Sequence, residues 1–130
     1  MTELSTAAER PRALVVDDDD PIRLMLAKLL ERQNISVDTA RDGGEAIERL
    51  KEDGYRVVLL DLMMPRVDGY AVLRYMKENE PALLSCTIIA SAVPQRDVLE
   101  QLGEAVYRIH TKPFDVTRLL EDVRRCVAPQ

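Results

Sequence analysis

Short apolar runs and longer stretches of helical periodicity take turns along the chain. Five runs read as strands: "RALVVD" (12–17), "ISVDTA" (35–40), "RVVLLD" (56–61), "CTIIAS" (86–91) and "AVYRIHT" (105–111). The first, third and fourth are almost continuously apolar, as strands covered on both faces are, whereas "ISVDTA" alternates and suits an edge. Between them the period changes to that of a helix. "DPIRLMLAKLLERQN" carries Ile22, Leu26, Leu29 and Leu30 on one face with Met25 adjoining; Asp20 reads as its N-cap and Pro21 fits its first turn. "DGGEAIERLKEDG" opens with Asp42 and Glu45 at capping-box spacing and closes at Gly54. "GYAVLRYMKENE" puts Tyr70, Leu73 and Met76/Lys77 at helical intervals before Pro81, with Gly69 as turn or helix-start geometry. "QRDVLEQLG" is a short helix ending at Gly103. "DVTRLLEDVRRCV" has Asp115 as its cap and Val116, Leu119, Leu120, Val123 and Val127 as its buried face.

Strand followed by helix, five times over with short loops, predicts an α/β fold with a parallel sheet and helices on both faces. A length of 130 residues suits one domain with a sizeable core: residues 1–10 read as a flexible N-terminal tail and 11–130 as the domain, with no room for a second. The balance of 46% hydrophobic and 32% charged residues is that of a globular chain and excludes global disorder. No apolar run reaches the ~18 residues of a membrane span. "MTELSTAAERPR" lacks the apolar core of a signal peptide, so a cytoplasmic protein is expected. A net charge of −5 argues against direct nucleic-acid binding, which calls for a basic patch. Cys86, placed in a buried strand, and Cys126, in the last helix, read as inert thiols with no CxxC around them. The single histidine, His110, is given no catalytic role, and Tyr107 and His110 are read as face or core residues.

The chemistry gathers at one edge. In parallel sheets of this kind the ligand site lies outside the carboxyl ends of the strands. Strand 1 ends in Asp17 and Asp18, strand 3 in Asp61, strand 4 in Ser91 and strand 5 in Lys112 followed by Pro113. Three carboxylates, a hydroxyl and an ammonium therefore converge. In outline this is a site for a hard cation and a phosphoryl group. The run "VVDDDD" raises the same point from another side, because four adjacent acids disfavour one another's charge unless something positive is close. Asp19 and Asp20 are read as a loop residue and a helix cap, and Met63 and Met64 as packing residues.

In "VVDDDDPIR", "LLDLMMPRVDGY", "IIASA" and "KPF", taken in order over residues 12 to 127, the chain resembles the response-regulator receiver domains of two-component signalling. The resemblance implies a flavodoxin-like sheet of order 2-1-3-4-5. It implies that Asp61 accepts a phosphoryl group from the phosphohistidine of a sensor histidine kinase or a phosphotransfer protein. Mg²⁺ would be held by Asp17, Asp18, Asp61 and the backbone carbonyl of Met63, with Ser91 and Lys112 meeting the phosphoryl oxygens. The protein would be a phosphoacceptor acting on itself rather than an enzyme with turnover. It would signal to a downstream protein by docking or by passing the phosphoryl group on. The resemblance also implies a cis Lys112–Pro113 bond, with Phe114 anchoring the loop. One position departs: three residues before the lysine, where an aromatic is usual, stands Ile109, and the nearest aromatic is Tyr107. The switch is then expected to be mostly a loop shift drawn by Ser91, read on the face of the fourth helix, fifth strand and fifth helix, with Tyr107 exposed there.

Two other readings use the same residues. A haloacid-dehalogenase-type phosphatase also needs Asp, Mg²⁺, Ser or Thr and Lys at strand ends, and Asp17-x-Asp19 imitates its nucleophile motif. Pro21 in place of a β-branched residue and the location of Glu121–Asp122 inside a helix weigh against it. A receiver-like module that makes no use of phosphate would not need Asp18, Asp61, Ser91 and Lys112 together.

Overall fold

The computed structural model describes residues 10–52, 54–64, 67–102 and 105–128. The expected tail, apart from Arg10, and the helix stop at Gly103 lie outside the described residues. The strands are β1 (Arg12–Val16), β2 (Ser36–Ala40), β3 (Tyr55–Leu60), β4 (Thr87–Ser91) and β5 (Arg108–Thr111). The helices are α1 (Asp20–Glu31), α2 (Gly43–Leu50), α3 (Gly69–Asn79), α4 (Pro81–Leu84), α5 (Gln95–Leu102) and α6 (Val116–Val127). All strand pairs are parallel, in the order β2-β1-β3-β4-β5.

The continuous apolar strands serve two cores at once, because successive side chains leave opposite faces of the sheet. Leu14, Val16, Val58, Leu60 and Ile89 pack with Ala46 and Leu50 of α2, Val72 and Met76 of α3 and Val98 of α5. Ala13, Val15, Val57, Leu59 and Ile88 pack with Leu26 and Leu30 of α1 and with Leu119, Val123 and Cys126 of α6.

Several details differ from the expected pattern. The N-cap of α1 is Asp19, not Asp20: its extended backbone (φ −83°, ψ 110°) lets the side chain accept the Ile22 N–H. Asp17 accepts the Asp19 N–H at 2.9 Å, which turns the chain one residue early and leaves Asp20 as the first helical residue. The buried stripe of α1 is Arg23, Leu26, Ala27 and Leu30, while Leu24 and Met25 are exposed. The short helix α4 was not expected. Pro81 stops α3 and, at the first helical position, starts the next turn, whose Leu83 and Leu84 N–H groups both donate to the Glu80 carbonyl. β5 begins at Arg108, which pairs with Ile88, although the Tyr107 N–H before it already donates to the Thr87 carbonyl at 2.8 Å. Cys86 precedes β4 and is half-buried rather than inside a buried strand. The two thiols nonetheless meet: burial first, and then the adjacent Cys86, push the Cys126 thiol up to about 12. Tyr107 is half-buried against the α1–α6 core and stacks with Arg108, rather than standing exposed.

Candidate functional site

Strand register builds the site. Val16 of β1 pairs with Leu60 of β3, so the next residue of each strand, Asp17 and Asp61, come side by side, and the Asp61 N–H donates to the Val16 carbonyl. Ser91 of β4 pairs with Thr111 of β5, so Lys112 follows directly, its backbone N–H donating to the Ser91 carbonyl at 2.8 Å. The Lys112–Pro113 bond is cis, as the resemblance implies, and Phe114 packs against the α1–α6 core.

At this edge, carboxylate oxygens of Asp17, Asp18 and Asp61 lie within 4.8 Å of one another. Asp17 and Asp61 are buried and Asp18 is exposed. The Lys112 ammonium stands 2.8 Å from Asp17 Oδ2 and 3.5 Å from Asp61 Oδ2. Asp61 Oδ1 accepts the Met63 N–H at 3.1 Å. Ser91 is fully buried, and its Oγ accepts the N–H groups of Leu62 and Val93, each at 3.4 Å. One hydroxyl thus touches both the turn after β3 and the loop after β4.

Burial pushes the Asp17 carboxyl above its usual range, and the Asp61 charge adds to this while Lys112 opposes it. Burial alone would lower the Lys112 ammonium, but the hydrogen bond to Asp17 and the charges of Asp17 and Asp61 outweigh it, so Lys112 is raised. The oxygens are hard donors on adjacent strand ends, and one ammonium leaves three carboxylates undercompensated. A divalent cation of the magnesium type fits this donor set.

The other aspartates of the run face elsewhere. Asp19 caps α1, and Asp20 is paired with Arg23 at 2.6 Å. With Asp19 turned to the helix, the Asp17-x-Asp19 pair of a phosphatase motif does not form. Met63, expected to pack, is 62% exposed, because the bond of its N–H back to Asp61 turns the loop outward; Met64 is buried. His110 lies outside the site, 2.8 Å from the buried Asp122.

Two features go beyond the sequence reading, which takes Gly69 only as turn or helix-start geometry. A Cβ on Gly69 would stand 2.5 Å from the Asp61 carbonyl oxygen and 2.6 Å from Leu62 Cα, so the start of α3 presses directly on the Asp61 backbone. Asp68, which caps α3 through the Ala71 N–H, was the available signal. The other is Arg23, a buried arginine behind the aspartates, which stands in line with Leu26, Ala27 and Leu30 on the buried stripe of α1.

The comparisons agree with this construction. A family model described as the response regulator receiver domain matches residues 13–124. The transcriptional regulatory protein ResD of Bacillus subtilis is 46% identical over 69 residues, which cover 53% of this chain and 29% of ResD. The match therefore spans less than a third of that relative's length. The receiver domain of the Francisella response regulator 1452 superposes with a TM-score of 0.81 at 29% identity, covering 91% of this chain and 97% of that one. The response regulator protein TrrA from Thermotoga maritima, solved in complex with Mg(2+)-BeF, gives 0.78 at 28% identity, covering 89% and 98%. The fold and the strand-end constellation define a doubly wound signalling module. The chain belongs to the response regulator receiver domains of two-component systems.

Proposed function

We propose that this domain takes a phosphoryl group onto Asp61 from the phosphohistidine of a sensor histidine kinase or a histidine phosphotransfer protein, in the cytoplasm. A carboxylate oxygen of Asp61 attacks phosphorus, the P–N bond breaks toward the imidazole, which takes up a proton, and an acyl phosphate forms. Transfer of this kind depends on positioning and on cations where the equatorial oxygens gather charge. Lys112 supplies one cation beside Asp61, and the Ser91 hydroxyl is a neighbouring donor. Asp17, Asp18, Asp61 and the Met63 carbonyl would hold Mg²⁺, which when bound neutralises charge between acceptor and donor phosphate. The same site returns the phosphoryl group to water, so the domain is a self-acting switch rather than a turnover enzyme.

The signal would leave through α5, β5 and α6. Ser91 Oγ already touches the Val93 N–H, so a shift of this hydroxyl toward a phosphoryl oxygen draws on the loop leading into α5. Ile109 packs in the α5-side core and, branched at Cβ, has neither the volume nor the reach of an aromatic rotamer switch. The readout is then a loop shift beside the groove of about 450 Å³ lined by Leu99, Val106, Tyr107 and Ile109, met by a downstream protein or a further phosphotransfer partner.

The observation that carries this reading is Lys112 set between two buried carboxylates with a third within 4.8 Å. Intact mass after acetyl phosphate and Mg²⁺ tests it. Wild type should gain one phosphoryl group that hydroxylamine removes, and Asp61→Asn should gain none. The same labile adduct on Asp61→Asn would assign the acceptor to another carboxylate.

A further inference from the structure

Arg23 is a charged residue in the first turns of α1, yet it is only 7% exposed. Its Nη1 donates to the Asp17 carbonyl at 3.0 Å and its Nη2 to Asp20 Oδ1 at 2.6 Å. Its own backbone N–H donates to the Asp19 carbonyl at 2.9 Å. Asp19 in turn donates its N–H to Asp17 Oδ1 and caps α1 through Ile22. Every aspartate of the run except Asp18 is thereby fixed, directly or in one step, by this guanidinium or by the turn it closes. Asp18 is the exposed one, left with its carboxylate near those of Asp17 and Asp61.

The geometry points to Arg23 as the positioning residue of the cation site: its fork holds the 17–20 turn from behind, so that Asp17 and Asp18 stay aimed at Asp61. The assignment rests on the site reading above and adds a residue that touches neither cation nor phosphoryl group. The physical need is clear. Carboxylates this close repel, and with no cation bound the turn would relieve that repulsion by swinging outward. A flexible lysine could supply charge there but not two fixed bonds at once, whereas the planar guanidinium spans a carbonyl and a carboxylate together. Partners behind metal ligands typically carry 10–100-fold in metal affinity.

The test is Mg²⁺ titration of the whole chain, followed by ¹⁵N chemical shifts, on wild type, Arg23→Met, Arg23→Lys and Asp20→Asn, with amide hydrogen exchange at Asp19 recorded before metal is added. Arg23→Met should bind Mg²⁺ about tenfold more weakly. Arg23→Lys should recover only part of that loss, since charge returns without the fork, and it stands in if the methionine variant does not fold. Asp20→Asn, which keeps the bond to the Asp17 carbonyl, should stay within about threefold of wild type. The Asp19 N–H should exchange faster in both Arg23 variants while the middle of α1 is unchanged. Wild-type affinity in a folded Arg23 variant overturns the assignment, as does full recovery with lysine. If wild type shows no saturable Mg²⁺ binding, the site reading falls, and Asp19 exchange then decides for Arg23 alone: faster exchange upholds the positioning role and unchanged exchange ends it.

Discussion

A Cβ on Gly69 would come within 2.5 Å of the Asp61 carbonyl oxygen, and one on Gly44 would meet nothing nearer than 3.4 Å. Two glycines near helix starts therefore carry opposite expectations. Gly69→Ala forces α3 and the end of β3 apart, and overpacking of this kind costs about 1–3 kcal/mol. Gly44→Ala lies inside α2, where alanine is favoured over glycine by up to about 1 kcal/mol. Urea unfolding should place the first variant's midpoint below wild type and the second's at or above it. A Gly69→Ala protein as stable as wild type would show that α3 can slide away from Asp61 without cost.

The elements are tied at the end of the sheet away from the site as well. Asp38 of β2 accepts from Arg12 of β1 and from the Tyr55 hydroxyl of β3, each at 2.7 Å, and the Arg12 guanidinium lies 4.5 Å from the Tyr55 ring centre. Burial pulls the Asp38 carboxyl upward, but the bonds from Tyr55 and Arg12 outweigh it and hold the group below its ordinary value. A depressed folded value means that the stabilisation is present above the unfolded chain's pKa and is lost as pH falls through the folded one. Wild type should lose this contribution below about pH 4, and Asp38→Asn should lack that component of acid sensitivity. Urea midpoints between neutral and acid pH measure it; identical slopes would mean the cluster carries no linked stability. At this scale the sequence was readable where the pattern is local. Strand runs, the Asp42 and Asp115 caps and the strand-end residues Asp17, Asp61, Ser91 and Lys112 all follow from period and position. What stayed hidden depends on partners distant in sequence. The cap of α1 is set by an Asp17 side chain folded back on Asp19. The burial of Arg23 is set by a carbonyl at the strand end, and the role of Gly69 by the backbone of Asp61 and Leu62.

For the molecule as a whole, the sheet keeps two cores apart, and the strand edge is where side chains from both sides of it can influence one another. Lys112 makes that influence concrete. Its ammonium is shared unevenly, 2.8 Å from Asp17 and 3.5 Å from Asp61, so in the unmodified protein it occupies the carboxylate that a cation would use. A phosphoryl group on Asp61 would compete for the lysine, and each lysine drawn away frees Asp17. Two ligands that bid against the same internal counter-ion are thermodynamically coupled, and the coupling is the same read from either side. Beryllofluoride, a phosphoryl mimic, should raise Mg²⁺ affinity in wild type, and Mg²⁺ should raise beryllofluoride affinity by an equal factor. Lys112→Ala should bind Mg²⁺ more tightly without the mimic, since both a competitor and a repelling charge are gone, and should show a smaller factor between the two ligands. Weaker Mg²⁺ binding by Lys112→Ala would mean that the lysine supports the cation instead of standing in for it. If it does stand in, cellular magnesium primes the domain before any donor arrives, and this one side chain sets how far each ligand reports the presence of the other.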